Sequence, residues 1–376
     1  MSVLIARDVV REPLYAICPY FNPFRNRSRV KHTERALKHF HDSGATIVFV
    51  ETCFNRRESE FQNLGLDGML TNCDIIGGKS EFRHKHIVMR TSDFMWHKED
   101  ACNAGVQRAL PHDWQQMCWL DADIQFVRPN WVGECIQQLQ HYSFLQMFSD
   151  GRDAGPNYEL IPKQQASSLW TGPGYQGPSF VKHWKVKTDR EPSPVVRADL
   201  ARVARDIKRL ERDFLQLEND LNPPYPGPIW YGLAWACTRK AYDDVGGIFD
   251  VAVWGGADYD MSHALTEQCA TLHLKAHPNY RKMLLEYEER CRRYIRKNVG
   301  AMEGTVIHYW HGRKSERKYS EKRKLMGTAN FDPLRHLKRD SNGLWALHDD
   351  GSEDFIHFRD QMRRLSRERN EDTNEI

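Results

Sequence analysis

The stretch Ala45-Thr-Ile-Val-Phe-Val-Glu51 is an almost continuous run of β-branched and aromatic residues. Such a run is typical of a strand buried on both faces of a parallel sheet. A shorter apolar run, Leu14 to Cys18, precedes it, and Gln116-Met-Cys-Trp-Leu120 follows later in the chain. Segments with helical spacing at 25–41 and 98–110 separate the three runs. This alternation predicts an α/β fold with an open, mostly parallel sheet flanked by helices.

Acidic residues stand directly after two of these strands. Glu51 ends the second strand, and Asp121-Ala-Asp123 ends the last. Ligands of open α/β sheets bind outside the carboxyl ends of the strands. Two carboxylates separated by one residue on an extended backbone lie on the same side and can address one cation. Their hard oxygen ligands suit Mg²⁺ or Mn²⁺, so we expect Asp121 and Asp123 to hold such an ion.

Two later segments carry further candidate groups. The first is Trp254-Gly-Gly-Ala-Asp258, in which Asp258 opens a helical segment. Its carboxylate serves either as a helix cap or as a general base at the wall of a ligand site. The second is Gly304-Thr-Val-Ile-His308-Tyr-Trp-His311-Gly312, where two imidazoles follow a β-type run. We expect one of these histidines to be the third ligand of the metal.

The composition is that of an ordinary globular protein. The 376 residues carry a formal net charge of +3, which requires no polyanionic partner. The nine cysteines are scattered, odd in number and without a C-x-x-C pair, which favours reduced thiols in a cytoplasmic protein. The first residues become charged before a signal peptide could form, and no apolar run approaches the ~18 residues of a membrane span.

We expect four segments along the chain: two halves of the α/β domain at 1–150 and 226–312, an insertion at 151–225 and a basic extension at 313–376. Within the insertion, apolar residues spaced alternately by four and three run from Val196 to Leu221. This heptad seam predicts a long helix over 196–221 that packs on the parent domain, forms a dimer or projects toward a large acceptor. The extension opens with seven basic and two acidic residues between Arg313 and Lys324.

Motifs spread over most of the chain resemble one enzyme class. They are Asn22-Pro-Phe-Arg25 with Ser28-Arg29, Val50-Glu51, Trp96-His-Lys98-Glu99 with Asn103, Trp119-Leu-Asp-Ala-Asp123, Gly232-Leu-Ala-Trp-Ala236 with Arg239, Val245-Gly-Gly247, Gly255-Gly-Ala-Asp258, and His308-Tyr-Trp-His-Gly312 with Arg317 and Tyr319. In this order they resemble the GT-A class of nucleotide-sugar glycosyltransferases, and in particular the family common in bacteriophage and giant-virus genomes. The insertion with the heptad helix departs from the compact GT-A pattern.

The resemblance implies a metal-dependent sugar transfer from a UDP-sugar and assigns roles to residues. The donor-binding residues are Pro23, Arg29, Glu51, Lys98, Asn103, Asp121 and Gly256, with Pro23 and Glu51 at the base and ribose. Asp121 and Asp123 would hold Mn²⁺ or Mg²⁺ on the diphosphate, Asp123 more directly, with His308 or His311 completing the ligand set. Asp258 would be the catalytic base of an inverting transfer; if it only caps its helix, a retaining route stays open.

For the acceptor, the resemblance favours 5-hydroxymethylpyrimidine bases in double-stranded phage DNA over cell-envelope glycans. An extruded base could stack on aromatic rings, and basic side chains could contact phosphates. The acceptor-binding residues expected on this basis are Trp230, Trp235, Trp254, Arg313, Lys314 and Arg317.

The sequence also bears on three other functional classes. A sugar nucleotidyltransferase usually opens with a glycine-rich phosphate loop, whereas the first strand here runs into Pro19-Tyr-Phe-Asn-Pro23. A P-loop NTPase is excluded because Cys73 stands where the motif preceding Gly77-Gly-Lys-Ser80 requires its first glycine. A non-catalytic nucleotide-binding or dimerisation module remains as the third alternative.

Overall fold

The computed structural model describes residues 13–61, 73–76, 79–82, 84–161, 175–188 and 229–372. The helix predicted over 196–221, and the dimer that it could form, lie outside the described residues. Eight cysteines whose side chains are described are buried free thiols: Cys18, Cys53, Cys102, Cys118, Cys135, Cys237, Cys269 and Cys291. None of the helices described is both long enough and apolar enough to cross a membrane.

The described ranges alternate strands and helices. The strands are β1 (Tyr15–Phe21), β2 (Thr46–Phe54), β3 (Cys73–Ile76), β4 (Lys79–Phe82), β5 (His84–Thr91), β6 (Gln116–Leu120), β7 (Ile124–Phe126), β8 (Phe144–Gln146), β9 (Asp150–Asp153), β10 (Gln176–Pro178), β11 (Ala234–Thr238), β12 (Val299–Ala301), β13 (Thr305–His308), β14 (Leu337–Arg339) and β15 (Trp345–Leu347). The α-helices are α1 (Arg27–Asp42), α2 (Glu99–Ala109), α3 (Trp131–Gln138), α4 (Phe180–Thr188), α5 (Arg239–Val245), α6 (Ala257–Leu265), α7 (Pro278–Arg290), α8 (Tyr319–Thr328), α9 (Pro333–His336) and α10 (Glu353–Glu368). Short 3₁₀ turns lie at Cys269–Thr271 and Lys314–Arg317, and a π-helical turn at Cys291–Ile295 extends α7.

The main sheet has seven strands in the order β12-β8-β11-β6-β1-β2-β5. Strands β1, β2, β5 and β6 run parallel to one another, β12 runs parallel to β8, and β11 runs antiparallel to both of its neighbours, β6 and β8. The Ala45–Val50 run lies in β2, which pairs with β1 on one side and β5 on the other. The α/β fold with a mostly parallel sheet flanked by helices is therefore confirmed.

Helices cover both faces of this sheet. Ile47 and Phe49 of β2 face α1, whose apolar stripe includes Leu37 and Phe40. The alternate residues of β2 face α2 and the remaining helices of the larger core cluster. The two clusters account for the continuous burial of β2, because a strand with helices on both faces exposes neither set of side chains.

A second sheet of four strands, in the order β10-β9-β13-β7, adjoins the end of β6. The turn Asp121–Asp123 connects β6 of the main sheet to β7 of this small sheet. Strand β13 pairs antiparallel with β7 and parallel with β9. The chain after β6 therefore passes directly into the sheet that carries His308.

The four predicted segments are interleaved in the structure. Strands from 13–150 and from 229–312 share the main sheet. The described part of 151–225 supplies most of β9, together with β10 and α4. The extension contributes α8 and α10, and its Leu325, Met326 and Phe358 belong to the larger core cluster. The segment boundaries themselves stay predictions.

Close packing of α2 on β2 depends on Gly105. A Cβ added there would lie 2.7 Å from Cγ2 of Val50 and 3.2 Å from Cγ2 of Ile17. An alanine in a helix normally gains up to about 1 kcal/mol over glycine, but overpacking of a core costs about 1–3 kcal/mol. We expect Gly105→Ala to lower the free energy of unfolding by about 1–2 kcal/mol in urea denaturation. The exposed Gln107→Ala in the same helix is the control, and a Gly105→Ala protein as stable as wild type would contradict this packing argument.

Candidate metal and ligand site

The carboxyl ends of β1 and β6 open into a cavity of about 1100 Å³, counting the part that is open to solvent. Both halves of the sequence and the C-terminal extension line it. The charged and imidazole side chains on its wall are Arg29, His32, His97, Lys98, Asp121, Asp123, His308, His311, Lys322, Arg369 and Glu371. The cavity lies where an open α/β sheet binds its ligands.

Asp123, His308 and His311 converge on one part of this wall. One ligand atom from each lies within 4.8 Å of the other two. Oδ2 of Asp123 is 3.3 Å from Nε2 of His311 and 3.7 Å from Nε2 of His308, and the two Nε2 atoms are 3.1 Å apart. The backbone enforces this meeting, because β7 begins directly after Asp123 and pairs with β13 so that Ile124 opposes His308. The Tyr309 N–H also donates to the Asp123 carbonyl at 2.8 Å.

His308 is oriented by a carboxylate on the neighbouring strand. Oδ1 of Asp153 lies 2.7 Å from Nδ1 of His308, and the two residues are register partners in β9 and β13. An ionised carboxylate only accepts hydrogen bonds, so this contact assigns the ring proton to Nδ1 and leaves a lone pair on Nε2. Trp230 packs edge-on against the same ring at 5.5 Å between centroids. A second carboxylate that fixes the tautomer and the ring is what metal-binding histidines commonly have.

His311 is held in its neutral form. Burial, and then the nearby Arg317 guanidinium, lower the pKa of His311 to about 3, against the opposing effects of Glu371 and Asp123. Its Nδ1 lies 3.7 Å from Oε2 of Glu371. A neutral imidazole keeps a lone pair and can therefore bind a metal.

Asp123 supplies the negative charge of the cluster. Burial opposes its ionisation, but His308, His311, His32 and Arg29 outweigh burial and hold the pKa of Asp123 below its usual value. Its Oδ1 is buried and accepts no hydrogen bond from the described residues. A buried carboxylate oxygen without a partner is costly unless a cation or water satisfies it.

These residues fit a divalent ion. A carboxylate and two imidazoles, one neutral and one oriented through its other nitrogen, leave further positions for ligand oxygens. Imidazole ligands favour Mn²⁺ over Mg²⁺, which prefers oxygen. Both predicted histidines join the cluster, whereas Asp121 does not.

Asp121 instead belongs to an ion-pair bridge with Lys98 and Asp258. The Lys98 ammonium lies 2.6 Å from Oδ1 of Asp121 and 2.7 Å from Oδ2 of Asp258. These two carboxylates overcome the effect of burial and raise the pKa of Lys98 well above its usual value. Burial raises the pKa of Asp121 to about 6, with Lys98 opposing the shift and Asp258 adding to it. Lys98 therefore stays protonated and connects the turn after β6 to helix α6.

Asp258 does not occupy the cap position of α6. That position is held by Gly256, in the left-handed region at φ 92°, and Asp258 lies in the first turn. The carboxylate also abuts the backbone at Gly232, where an added Cβ would lie 2.6 Å from its Oδ2. Lys98 and Gly232 thus fix Asp258 in place, with 16% of the side chain still exposed.

The predicted donor-binding residues fall into two groups. Pro23, Arg29, Lys98 and Asp121 line the cavity, whereas Glu51, Asn103 and Gly256 are not among its described lining residues. Glu51 is 1% exposed and accepts hydrogen bonds from His86, Ser59 and the Glu60 N–H. Asn103 is saturated by four hydrogen bonds that hold the segment Tyr242 to Asp250. The polar groups of Glu51 and Asn103 are thus taken up by contacts within the protein, and their roles in donor binding stay predictions.

Four of the predicted acceptor-binding residues are buried. Trp230, Trp235 and Trp254 are only 4%, 1% and 5% exposed, and their role at an acceptor stays a prediction. Trp235 lies in β11 against Trp119, and Trp254 packs on Tyr280. Arg317 is 3% exposed and donates to the Gly312 carbonyl at 2.9 Å.

The other two basic residues of that set are placed less fully. Arg313 is half-buried and has interactions within the protein. Lys314 begins a 3₁₀ turn, and its side chain lies outside the described part of the chain.

Several residues of the site were not predicted from the sequence. Asp153 lies in the segment interpreted as an insertion, and Lys322, Arg369 and Glu371 lie in the extension. Glu371 is 1% exposed and accepts hydrogen bonds from Arg29 and Arg369. The next residue, Asp372, accepts hydrogen bonds from the Arg27 and Ser28 N–H groups at the start of α1. The position of Lys322 inside the basic block was the only available signal, because an acid more than 300 residues from its partner leaves no local pattern.

No protein-family model matches this chain, and neither does any curated protein sequence. Among solved structures, the chain is similar to glucosyl-3-phosphoglycerate synthase from Mycobacterium tuberculosis in complex with Mn²⁺, uridine diphosphate and phosphoglyceric acid. The identity is 9% and the TM-score 0.32, over 90% of this chain and 81% of that chain. A likeness this weak leaves the activity to be argued from the residues of the site.

Asp153 should matter for metal affinity although it does not reach the metal position. Loss of an outer carboxylate typically weakens a metal site 10–100-fold. We expect Asp153→Asn to bind Mn²⁺ about 10-fold more weakly than wild type and His308→Ala more weakly still, in calorimetric titration. The exposed Asp113→Asn is the matched control. Equal Mn²⁺ affinity in wild type and His308→Ala would remove His308 from the ligand set.

Lys322 should make the stability of the fold depend on pH. Burial, and then Arg369, lower the pKa of Lys322 from 10.5 to about 7, with Arg29 adding to the shift and Glu371 opposing it. Between these two values the unfolded chain binds more protons at this residue, so its contribution to stability rises with pH. Wild type should therefore gain about 2 kcal/mol relative to Lys322→Met between pH 7 and pH 9.5 in phosphate-free urea titrations. A pH-independent difference between the two proteins would refute the buried, poorly solvated position of this ammonium.

Proposed function

We propose that this protein is a metal-dependent glycosyltransferase that moves a sugar from a nucleoside diphosphate sugar, with a UDP-sugar as the expected donor, to a hydroxyl acceptor. The observation that carries the proposal is the convergence of Asp123, His308 and His311 at the carboxyl end of β6, inside a cavity that basic side chains also line. A site of this composition suits an anionic, metal-bridged ligand such as a diphosphate.

The cavity also offers a surface for a nucleoside. Pro23 and Phe24 line it next to the end of β1. The Phe24 ring is stacked on Phe94, with 5.4 Å between centroids and 11° between planes. An apolar, aromatic wall of this kind can receive the face of a nucleobase, while the charged cluster at Asp123 would face the phosphates.

In this proposal the metal cluster acts on the leaving diphosphate, and Asp258 of the Lys98 bridge acts on the acceptor hydroxyl. A divalent ion held by Asp123, His308 and His311 would act as a Lewis acid on the departing diphosphate. The bond between the anomeric carbon and the diphosphate oxygen breaks, and a bond from that carbon to the acceptor oxygen forms. The acceptor hydroxyl gives its proton to Asp258, and the diphosphate leaves with the electron pair of the broken bond. One displacement of this kind inverts the anomeric centre.

Lys98 positions the base in this scheme. Its ammonium holds the Asp258 carboxylate in one position. The same ammonium holds Asp121 beside the metal cluster. Lys98 is thus a positioning residue for Asp258 and for the turn that carries Asp123.

The acceptor is left at the level of a hydroxyl compound. The DNA acceptor expected from the resemblance stays a prediction, and the tryptophans expected to stack on its bases are buried in the core. Envelope glycans remain the alternative acceptor class. A non-catalytic nucleotide-binding module is the alternative that the activity test must separate.

The decisive test is release of UDP from a panel of UDP-sugars in the presence of Mn²⁺ and a panel of hydroxyl acceptors. We expect turnover by wild type, a loss of at least 100-fold in Asp123→Asn, and a loss of 10²–10⁴-fold in kcat for Asp258→Asn, the range typical of a general base. Asp258→Asn should still bind UDP and Mn²⁺, because it leaves the metal cluster intact.

Asp113→Asn, an exposed carboxylate outside the cavity lining, controls for loss of a negative charge. Binding of UDP and Mn²⁺ by wild type without release of UDP from any donor would favour the non-catalytic module. Full activity in Asp258→Asn would assign the base to another residue and reopen the retaining route.

A further inference from the structure

Lys322 is a buried cation that the proposed transfer does not use. The residue is 6% exposed and lines the cavity. Its ammonium faces the ring of Trp96, 5.9 Å from the centroid, and has no hydrogen-bond acceptor among the residues that the structure describes. An ammonium that has no acceptor in the protein must find one in the cavity, from water or from a ligand.

Arg369 approaches the same ring. Its guanidinium carbon lies 5.3 Å from the Trp96 centroid, and its side chain is 7% exposed. The acid nearest to these cations is Glu371, which already accepts hydrogen bonds from Arg29 and Arg369. Lys322, Arg29 and Arg369 thus lie together around Glu371 at this end of the cavity. The imbalance favours entry of an anion.

Trp96 connects this end of the cavity to the region around Asp258. The backbone N–H of Trp96 donates to the Val253 carbonyl at 2.7 Å, and a Cβ added at Gly255 would lie 3.6 Å from the Trp96 ring. That loop leads into α6 and its Asp258. Two residues beyond Trp96, Lys98 pairs with the same carboxylate. Glu371 stands between this region and His311 of the metal cluster.

We propose that Lys322 and Arg369, above the face of Trp96, form a subsite for an acidic group of the acceptor, a phosphate or a carboxylate. The subsite rests on the proposed function for its assignment to the acceptor, whereas the anion site itself does not. It is separate from the donor diphosphate, which would meet the metal at Asp123. An acceptor of this class would be held by its charge while its hydroxyl faces Asp258.

Sulfate is a suitable probe, since it is a tetrahedral dianion like phosphate and stays soluble with Mn²⁺. We expect calorimetry at low ionic strength to show sulfate binding to wild type saturated with Mn²⁺ and UDP. Lys322→Met should weaken this binding at least 10-fold. Lys324→Met, an exposed lysine of the same helix α8, should leave it unchanged. A thermal melt of each variant verifies that it is folded.

Two results would overturn the proposal. Equal sulfate affinity in wild type and Lys322→Met would show that the buried ammonium is no anion ligand. Displacement of sulfate by UDP with Mn²⁺ would assign the cations to the donor instead of the acceptor.

A parallel titration in EDTA without UDP separates this proposal from the glycosyltransferase. Asp123→Asn should lose Mn²⁺ binding in a separate metal titration without EDTA, and it should keep sulfate binding in EDTA. If UDP and Mn²⁺ fail to bind wild type at all, the proposed function and the acceptor assignment fall together. The Lys322-dependent loss of sulfate binding then still decides whether the anion site exists.

Discussion

The pairing of β7 with β13 is the constraint on which the candidate site depends. Asp123 closes the turn after β6, and β13 ends at His308, so that three short ladder contacts decide where both residues lie. The Tyr309 N–H, donated to the Asp123 carbonyl, extends this register by one step beyond the strand. His311 follows within one further turn of chain. Asp123 and two imidazoles from the last quarter of the sequence therefore meet at one sheet edge. The parallel main sheet sets the direction of the turn after β6.

Carboxylates hold most of the basic side chains around this edge in position. Asp153 fixes His308, Glu371 approaches His311 and holds Arg29, and Asp258 shares Lys98 with Asp121. Each of these acids pairs with a basic side chain that lines the cavity. These pairs satisfy most of the buried charges, while Oδ1 of Asp123 is among the buried polar atoms that have no partner within the described residues.

The sequence predicts the sheet and part of the site, for identifiable reasons. Strand β2 and the turn after β6 are recognisable because apolar runs and a pair of acids leave local patterns. His308 and His311 are recognisable because they lie together after a β-type run. Asp153 and Glu371 are 155 and 60 residues away in sequence from the histidines that they contact. They join the site only through tertiary packing, so no local sequence pattern indicates them. For the tryptophans expected at the acceptor the sequence is ambiguous, because an aromatic residue in a strand suits a core as well as a stacking surface, and only burial distinguishes the two.

The small sheet couples the stability of the folded protein to metal binding. Its strands are three or four residues long, and three of them carry or adjoin groups of the candidate metal cluster. An ion bound there would join β7 to β13, and through Asp153 to β9, so that ligation and folding of this region become one equilibrium. A free concentration 100-fold above the dissociation constant adds about 2.7 kcal/mol to the folded state. The supply of divalent ions would then govern how long the protein persists, quite apart from how fast it turns over substrate.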